Sequence, residues 1–167
     1  VKPNIADFFA GAGGLSLGFV QSGYRVCFAN DFQDVCVNTY IYNHPEVPSN
    51  KVLCADIRKI VDNIQDYITD DIDVVIGGPP CQAYSTAGRV RDSKGMASDP
   101  RNFLFESYVR ILEHYRPKFF VFENVTGLLS AKVNGKPILP SIMEALGAAY
   151  KVISDVTLST FPIHIFL

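Results

Sequence analysis

The chain has 167 residues, of which 48% are hydrophobic and 19% are charged, as is typical of a single globular domain with a real core. The net charge of −2 argues against a protein that coats nucleic acid without specificity, and no apolar stretch reaches the ~20 residues of a membrane-spanning helix. Four cysteines without a CxxC pair favour a reducing, intracellular setting, and three scattered histidines argue against a metal site.

Short β-branched or aromatic runs alternate along the chain with segments of helical period. Predicted strands occupy residues 5–9, 24–30, 51–55, 73–76, 119–122 and 151–156, and predicted helices occupy 15–21, 33–43, 56–68, 101–115 and 141–149. A polar loop covers 83–100, and a loop with glycine and proline covers 127–140. Because single helices connect consecutive strands, the pattern predicts an α/β fold with a doubly wound, mostly parallel sheet.

Polar or reactive residues stand at the ends of the first five predicted strands. Glycines follow the first strand, Asp31 the second, Asp56 the third, Cys81 the fourth and Glu123 the fifth. In a sheet of this kind, ligands bind in the crevice outside the carboxyl ends of the strands. The five strand ends together therefore predict a functional site at one rim of the sheet.

The first of these strand ends is the glycine-rich turn Gly11-Ala12-Gly13-Gly14. Such a turn lets the backbone approach a ligand closely and leaves amide donors at the start of the next helix for an anionic group. Ser16 stands where the third glycine of a G-x-G-x-x-G pattern would fall. The turn therefore favours a carboxylate over the pyrophosphate of a dinucleotide.

The second and third strand ends suit a nucleoside. Asp31 lies 20 positions after Gly11, where an acid typically accepts hydrogen bonds from ribose hydroxyls. Phe32 can stack on an adenine ring, and Asp56 can accept a hydrogen bond from the adenine amino group. Helix N-capping is the alternative role for both aspartates, and for Asp56 the two roles can coexist. A nucleoside with a carboxylate and without a pyrophosphate describes S-adenosylmethionine.

The fourth and fifth strand ends carry the reactive groups. Pro79 and Pro80 stiffen the turn directly before Cys81, which places that thiol as a nucleophile. Glu123 follows four apolar residues, so burial is expected to raise its pKa and allow it to donate a proton to a ring nitrogen. The alternative is a carboxylate held by a structural partner. The other cysteines lie in apolar runs and are interpreted as core residues: Cys27, Cys36 and Cys54.

Three segments together resemble the first, fourth and sixth signature motifs of the C5-cytosine DNA methyltransferases. They are Asp7-Phe8-Phe9-Ala10-Gly11-Ala12-Gly13-Gly14-Leu15, Gly78-Pro79-Pro80-Cys81-Gln82-Ala83-Tyr84-Ser85 and Glu123-Asn124-Val125. Their order and spacing also fit, and the resemblance covers the chain from about residue 5 to residue 156. It implies the Rossmann-like fold of S-adenosylmethionine-dependent methyltransferases.

The resemblance also implies a reaction on double-stranded DNA. Cys81 would attack C6 of a flipped-out cytosine, and Glu123 would bind and protonate N3. C5 would take the methyl group of S-adenosylmethionine, leaving S-adenosylhomocysteine. The implied cofactor contacts are Phe9, Gly11, Gly13, Gly14, Leu15, Asp31, Phe32, Asp56, Ile57, Pro79 and Leu104.

A loop that closes over DNA is implied after Cys81, with its contacts at Gln82, Ser85, Gly88, Arg89 and Arg91. Its glycine and arginines suit hinge motion and phosphate contact. Residues 82–167 carry a net charge of +3, whereas residues 1–81 carry −5. A polyanion is therefore expected to contact the second half of the chain.

The chain departs from the family pattern near its end. The last arginine is Arg116, so the arginine-bearing motif expected after the sixth strand has no counterpart, and residues 157–167 end in an apolar run. We therefore expect residues 1–167 to form one catalytic and cofactor-binding domain that is incomplete at its C-terminal end. A missing segment or a second subunit would then carry target recognition. The expected location is cytoplasmic in a bacterium and nuclear in a eukaryote, with no membrane partner.

Other functions stay open on the sequence alone. The same chemistry can act on RNA, since one branch resembling this family modifies tRNA. A truncated domain can also bind the cofactor without catalysing transfer. A nicotinamide-dependent enzyme is disfavoured by Ser16 and by the Pro79-Pro80-Cys81 element, which such an enzyme does not need.

Overall fold

The computed structural model describes residues 1–80, 104–133, 136–148, 150–151 and 165–166. Among these residues the strands are β1 Asn4–Phe8, β2 Arg25–Asp31, β3 Val52–Cys54, β4 Val74–Gly77, β5 Phe119–Phe122, β6 Lys132–Val133, β7 Lys136–Pro137 and β8 Ile165–Phe166. The α-helices are α1 Gly14–Gln21, α2 Asp34–Asn43, α3 Ile57–Ile60, α4 Leu104–Tyr115 and α5 Leu139–Gly147. Most of the predicted strand over 151–156 and the predicted helical residues 101–103 lie outside the described residues.

The main sheet of the described residues has the strand order β3-β2-β1-β4-β5-β8. Strands β1 to β5 run parallel, and β8 pairs antiparallel with β5. The chain winds outward from β1 through β2 to β3 and then returns to the other side of β1 with β4 and β5. The prediction of a doubly wound, mostly parallel sheet is confirmed, and its topological switch point lies between β1 and β4.

Both faces of the sheet are covered, as parallel sheets require. On one face Ile5, Val74 and Ile76 pack with residues of α1 and α2. On the other face alternate residues of the same strands, such as Phe8 and Val75, pack with α3, α4 and α5. The period of two along each strand thus divides one run of apolar residues between two cores.

Strand β4 can approach its neighbours closely because it ends in glycine. A Cβ on Gly77 would lie 2.5 Å from the carbonyl oxygen of Phe8 and 2.9 Å from the ring of Tyr108. The hydroxyl of Tyr108, which is fully buried, reaches the carbonyl oxygens of Val75 and Val121 at 3.1 and 2.8 Å. Helix α4 is thereby fixed across β4 and β5, the two strands that lead into the predicted reactive groups.

The prediction of one helix over residues 56–68 is wrong in form. Helix α3 ends at Ile60, and a 3₁₀ segment, Val61–Asp66, follows with non-helical dihedral angles at Asn63. The apolar residues of this stretch are nevertheless buried as expected. Their three-residue spacings fit the period of a 3₁₀ helix as well as that of an α-helix, and Asn is a weak helix former because its side chain competes for backbone hydrogen bonds.

The loop predicted over 127–140 contains more structure than expected. It holds a 3₁₀ turn, Thr126–Ser130, and the hairpin of β6 and β7. Helix α5 also begins earlier than predicted because Pro140 lies in its first turn, where the missing amide is tolerated. Strand β8 was not predicted, because the apolar run that contains it has no turn signal to indicate which strand it pairs with. Among the residues described, no helix is both long enough and apolar enough to span a membrane.

Candidate cofactor and active site

The carboxyl ends of the five parallel strands lie side by side at one rim of the sheet. Phe8 of β1 is in register with Asn30 of β2 and with Gly77 of β4, and Gly77 is in register with Phe122 of β5. The residues that follow each strand therefore start from the same level. The structure thus brings the described strand ends predicted to carry chemistry to one side of the molecule.

A cavity of about 160 Å³ opens at this rim beside the switch point. Its walls include five of the predicted cofactor contacts, Phe9, Phe32, Asp56, Ile57 and Leu104. Four further residues complete the lining and were not predicted: Asn30, Ala55, Arg58 and Pro80. The cavity is smaller than the roughly 300–1,000 Å³ of a pocket for a drug-sized ligand, so it suits one part of such a ligand, for example a single aromatic base.

Two aromatic side chains border the cavity. Phe32 is 63% exposed, which is unusual for a phenylalanine and leaves its ring available for stacking. Phe9 has a φ angle of 59°, a conformation rarely adopted by bulky residues. This angle turns the chain from β1 into the glycine-rich turn (residues 11–14). Such backbone outliers concentrate at functional sites.

Asn30 lies at the base of the cavity and joins two strand ends. Its side-chain amide donates to the carbonyl oxygens of Leu53 and Ala55, at 3.0 and 2.9 Å. This contact fixes the chain leaving β3 against the end of β2. A signal for Asn30 was present in the sequence, because a polar amide ends an otherwise apolar strand and a buried amide needs specific partners.

Asp31 connects the glycine-rich turn to the chain that leads into α2. One carboxylate oxygen accepts a hydrogen bond from the amide of Gly11 at 3.0 Å, and the other accepts from the amide of Gln33 at 2.9 Å. Asp31 does not itself line the cavity, although both of its neighbours do. Each carboxylate oxygen can accept two hydrogen bonds, so the carboxylate keeps acceptor capacity for a hydroxyl group.

Asp56 caps helix α3, which was the alternative role considered for it. Its carboxylate accepts from the amide of Arg58 at 3.0 Å and also pairs with the guanidinium of Arg58. The hydrogen bond from the Arg58 side chain holds the pKa of Asp56 below its usual range. Asp56 is therefore an anion at the cavity wall, already paired with a half-exposed cation.

The glycine-rich turn lies beside the cavity without forming its wall. Of the predicted cofactor contacts, Gly11, Gly13, Gly14, Leu15 and Pro79 do not line it. Two of these, Gly14 and Leu15, instead line a shallow apolar groove along α1, together with Phe19, Tyr24 and Val121. The structure thus separates the predicted cofactor contacts into a cavity group and a turn group.

A buried polar network lies beneath the turn and was missed by sequence reasoning. Ser16 donates to a carboxylate oxygen of Asp7 at 2.7 Å, and the Tyr40 hydroxyl donates to Ser16 at 2.6 Å. The other oxygen of Asp7 is buried without a hydrogen-bond partner among the described residues. Burial raises the pKa of Asp7 to about 7, against the lowering effect of the Ser16 hydrogen bond. An aspartate inside an apolar strand was the available signal.

Glu123 lies directly after β5, against the turn that follows β4. Its carboxylate is half-buried, and burial raises its pKa above the usual value. A Cβ on Gly78 would lie 2.7 Å from a Glu123 carboxylate oxygen, so the glycine makes room for this side chain. The next residue, Asn124, is buried and donates its amide to the carbonyl oxygen of Pro79 at 3.0 Å. Asn124 thereby fixes the turn two residues before Cys81.

Cys81 and the predicted DNA contacts lie outside the described residues. This applies to Gln82, Ser85, Gly88, Arg89 and Arg91 as well as to the thiol itself. Their roles stay predictions. Among the described residues, no group of three or more His, Cys, Asp or Glu side chains could hold a metal ion.

Comparison with known proteins gives a consistent result. The model of a family described as C-5 cytosine-specific DNA methylase matches residues 3–159. The Type II methyltransferase M.AgeI of Thalassovita gelatinovora is 40% identical over 153 residues, which are 89% of this chain and 34% of that protein. The Type II methyltransferase M.DdeI of Desulfomicrobium norvegicum is 40% identical over 151 residues, with the same shares of each chain. The chain thus spans about a third of the length of these relatives.

Solved structures show the same fold. A putative DNA modification methyltransferase encoded within an E. coli prophage superimposes with a TM-score of 0.73 at 27% identity, covering 99% of this chain and 45% of that one. The S. pombe Dnmt2 methyltransferase superimposes with a TM-score of 0.65 at 16% identity, covering 94% of this chain and 44% of that one. The second likeness is one of fold alone.

Proposed function

Because the chain belongs to the C-5 cytosine-specific DNA methylase family, we propose that it transfers a methyl group from S-adenosylmethionine to C5 of a cytosine in double-stranded DNA. The observation that carries the proposal is the position of Glu123. This carboxyl group is half-buried, and burial raises its pKa. It lies against Gly78, in the turn that leads from β4 to Cys81. A proton donor and a thiol nucleophile are the two groups that activate the cytosine.

The described residues fit S-adenosylmethionine. The cavity can receive the adenine, with Phe32 for stacking and Asp56 as an acceptor for the amino group. Asp31 has acceptor capacity for the ribose hydroxyls, and the glycine-rich turn suits the amino-acid end. The cofactor supplies the methyl group.

The protein's own residues activate the cytosine. The base is flipped out of the duplex, and the Cys81 thiolate adds to C6, forming a carbon–sulfur bond. Glu123 gives its proton to N3, so that the electron pair of the former double bond is held at C5. After C5 is methylated, a base removes the C5 proton, the carbon–sulfur bond breaks, and N3 returns its proton to Glu123. The elimination regenerates the Cys81 thiolate, and S-adenosylhomocysteine is the second product.

Residues 1–167 form the catalytic and cofactor-binding part in this proposal. Target recognition belongs to a further segment or a second subunit, which is consistent with the share of the relatives that the chain spans. The proposed DNA contacts follow Cys81 in the sequence: Gln82, Ser85, Gly88, Arg89 and Arg91.

Covalent trapping tests the proposal. The whole protein is incubated with S-adenosylmethionine and a duplex carrying 5-fluorocytosine, whose C5 fluorine cannot leave as a proton does. We expect an adduct that resists denaturation and is lost in Cys81→Ser. Cys54→Ser is the matched control because Cys54 is an exposed free cysteine. The prediction that Cys54 is a core residue was therefore wrong, and Cys36 is only partly buried. The adduct is expected to persist in Cys54→Ser.

Glu123→Gln provides the second arm of the test. It should slow adduct formation by about 10²–10⁴-fold, the usual contribution of a general acid, while S-adenosylhomocysteine still binds. An adduct that survives Cys81→Ser would refute the assignment of the nucleophile. Adduct formation on an RNA duplex, with none on DNA, would identify RNA and not DNA as the substrate.

A further inference from the structure

We propose that His44 is a positioning residue for the cofactor: its imidazole fixes the carbonyl of Gly13 and holds the glycine-rich turn in the shape that receives the amino-acid end of S-adenosylmethionine. The inference rests on the proposed function and adds a residue to it. His44 follows α2 and is remote from the sequence motifs that carry the family resemblance.

The contact between His44 and the turn is close and buried. His44 is only 1% exposed, and its Nε2 atom lies 2.9 Å from the carbonyl oxygen of Gly13. A Cβ on Gly13 would lie 2.2 Å from the same nitrogen. The imidazole therefore fills the space that a side chain at residue 13 would need. Gly13 has a φ angle of 88°, so the turn conformation also depends on glycine there.

The second ring nitrogen shows how the contact is strengthened. Nδ1 of His44 lies 3.0 Å from a carboxylate oxygen of Glu46. Both ring nitrogens therefore lie within hydrogen-bond distance of an oxygen acceptor, so the orientation of the ring is fixed from two sides. The Tyr40 ring also packs against the imidazole, at a centroid distance of 4.5 Å.

Two further side chains hold neighbouring peptide groups of the turn. The side-chain amide of Asn43 donates to the carbonyl oxygen of Ala12 at 2.9 Å, and Asp31 accepts from the amide of Gly11 at 3.0 Å. Three groups of the turn are therefore fixed from outside it. A turn that is already ordered loses less conformational entropy when a ligand binds. Of these three hydrogen bonds, only the one between His44 and Gly13 joins two buried residues.

Calorimetric binding of two ligands tests the inference. S-adenosylhomocysteine carries the amino-acid end, whereas adenosine lacks it. In His44→Asn the amide reaches only the position of Nδ1, so the bond to Gly13 is lost. We expect about tenfold weaker binding of S-adenosylhomocysteine and unchanged binding of adenosine. His44→Gln places its amide near the position of Nε2 and should restore the affinity to within about threefold.

The remaining outcomes separate the possibilities. Wild-type affinity for S-adenosylhomocysteine in His44→Asn, or equal losses for both ligands, would overturn the inference and leave the proposed function in place. If the wild-type protein binds neither S-adenosylmethionine nor S-adenosylhomocysteine, the proposed function fails and the inference with it. Tyr42→Ala is the matched control because Tyr42 is on the same helix and 85% exposed, and it should change neither affinity.

A second variant covers the case in which His44→Asn does not fold. Glu46→Gln keeps the imidazole and removes the carboxylate from Nδ1, at a residue whose side chain is 45% exposed. It should weaken S-adenosylhomocysteine binding by about threefold and leave adenosine binding and the melting temperature unchanged. Full affinity for S-adenosylhomocysteine in Glu46→Gln would then overturn the inference.

Discussion

The two ends of the candidate cofactor site are built in different ways. At the glycine-rich turn, side chains from outside the turn hold successive peptide groups, and buried polar side chains beneath it include Asp7 and His44. At the start of α3, the Asp56 carboxylate is paired with Arg58, whose side chain is half-exposed. Exposed Phe32 completes this second end.

This difference predicts which substitutions change the stability of the fold and which change only ligand affinity. Gly13 and the groups beneath the turn, Asp7 and His44, are buried, so their substitution should change the stability of the fold as well as ligand affinity. Groups at the α3 end lie at the surface, where hydrogen bonds and ion pairs contribute little to stability. Substitutions there should act on the ligand alone.

Gly13→Ala should have the largest effect. Its φ of 88° costs an alanine about 1–2 kcal/mol, and overlap of the new methyl group with His44 adds to this. We expect a loss of at least about 3 kcal/mol in the free energy of unfolding, measured by urea denaturation. The control is Gly18→Ala, on an exposed position of α1 with no atom within 4 Å of its Cβ. It should be neutral or stabilise by up to about 1 kcal/mol. Equal effects of the two would contradict a tightly packed turn.

Asp7→Asn should change how stability depends on pH. Burial raises the pKa of Asp7 to about 7 in the folded protein from 3.8, so the folded state keeps a proton that the unfolded state has lost. The contribution is complete below pH 3.8 and is lost as pH rises toward 7, by up to about 4 kcal/mol. The stability of Asp7→Asn relative to wild type should therefore rise between pH 4 and pH 7 and level off above pH 7. Parallel curves of unfolding free energy for the two proteins would rule this out.

Asp31→Ala should have an intermediate effect, because Asp31 holds the turn through Gly11 and lies between two residues that line the cavity, Asn30 and Phe32. We expect 10- to 100-fold weaker S-adenosylhomocysteine binding, corresponding to about 1.5–3 kcal/mol for charge-assisted hydrogen bonds. The reactivity of the Cys81 thiol toward an alkylating reagent should not change. Asp34→Ala, in the first turn of α2, is the control, since its carboxylate meets an exposed Asn38. Unchanged affinity in Asp31→Ala would remove Asp31 from the ribose assignment.

The sequence predicts the parallel sheet and the strand ends well because hydrophobic period and strand-end chemistry are local properties. Phe32 and Asp56 could be placed at the cavity for the same reason. The contacts of Asn43 and His44 with the turn could not, since they join residues 31 positions apart and follow from how α2 packs against α1. The division of this stretch into the short helix α3 and a 3₁₀ segment could not be predicted either, because the buried position of Ile64 fits the period of both helix types.

Arg58→Ala should have the smallest effect. Because the Arg58 side chain is about half-exposed, we expect the free energy of unfolding to change by less than about 0.5 kcal/mol and S-adenosylhomocysteine affinity by less than about threefold. The pKa of Asp56, which Arg58 lowers, should rise, as measured by a carboxyl NMR titration. Lys59→Ala is the control, since Lys59 acts on Asp56 only weakly and at a distance. A loss of affinity in Arg58→Ala as large as that in Asp31→Ala would show that the α3 end is held as firmly as the turn, and the contrast between the two ends would fail.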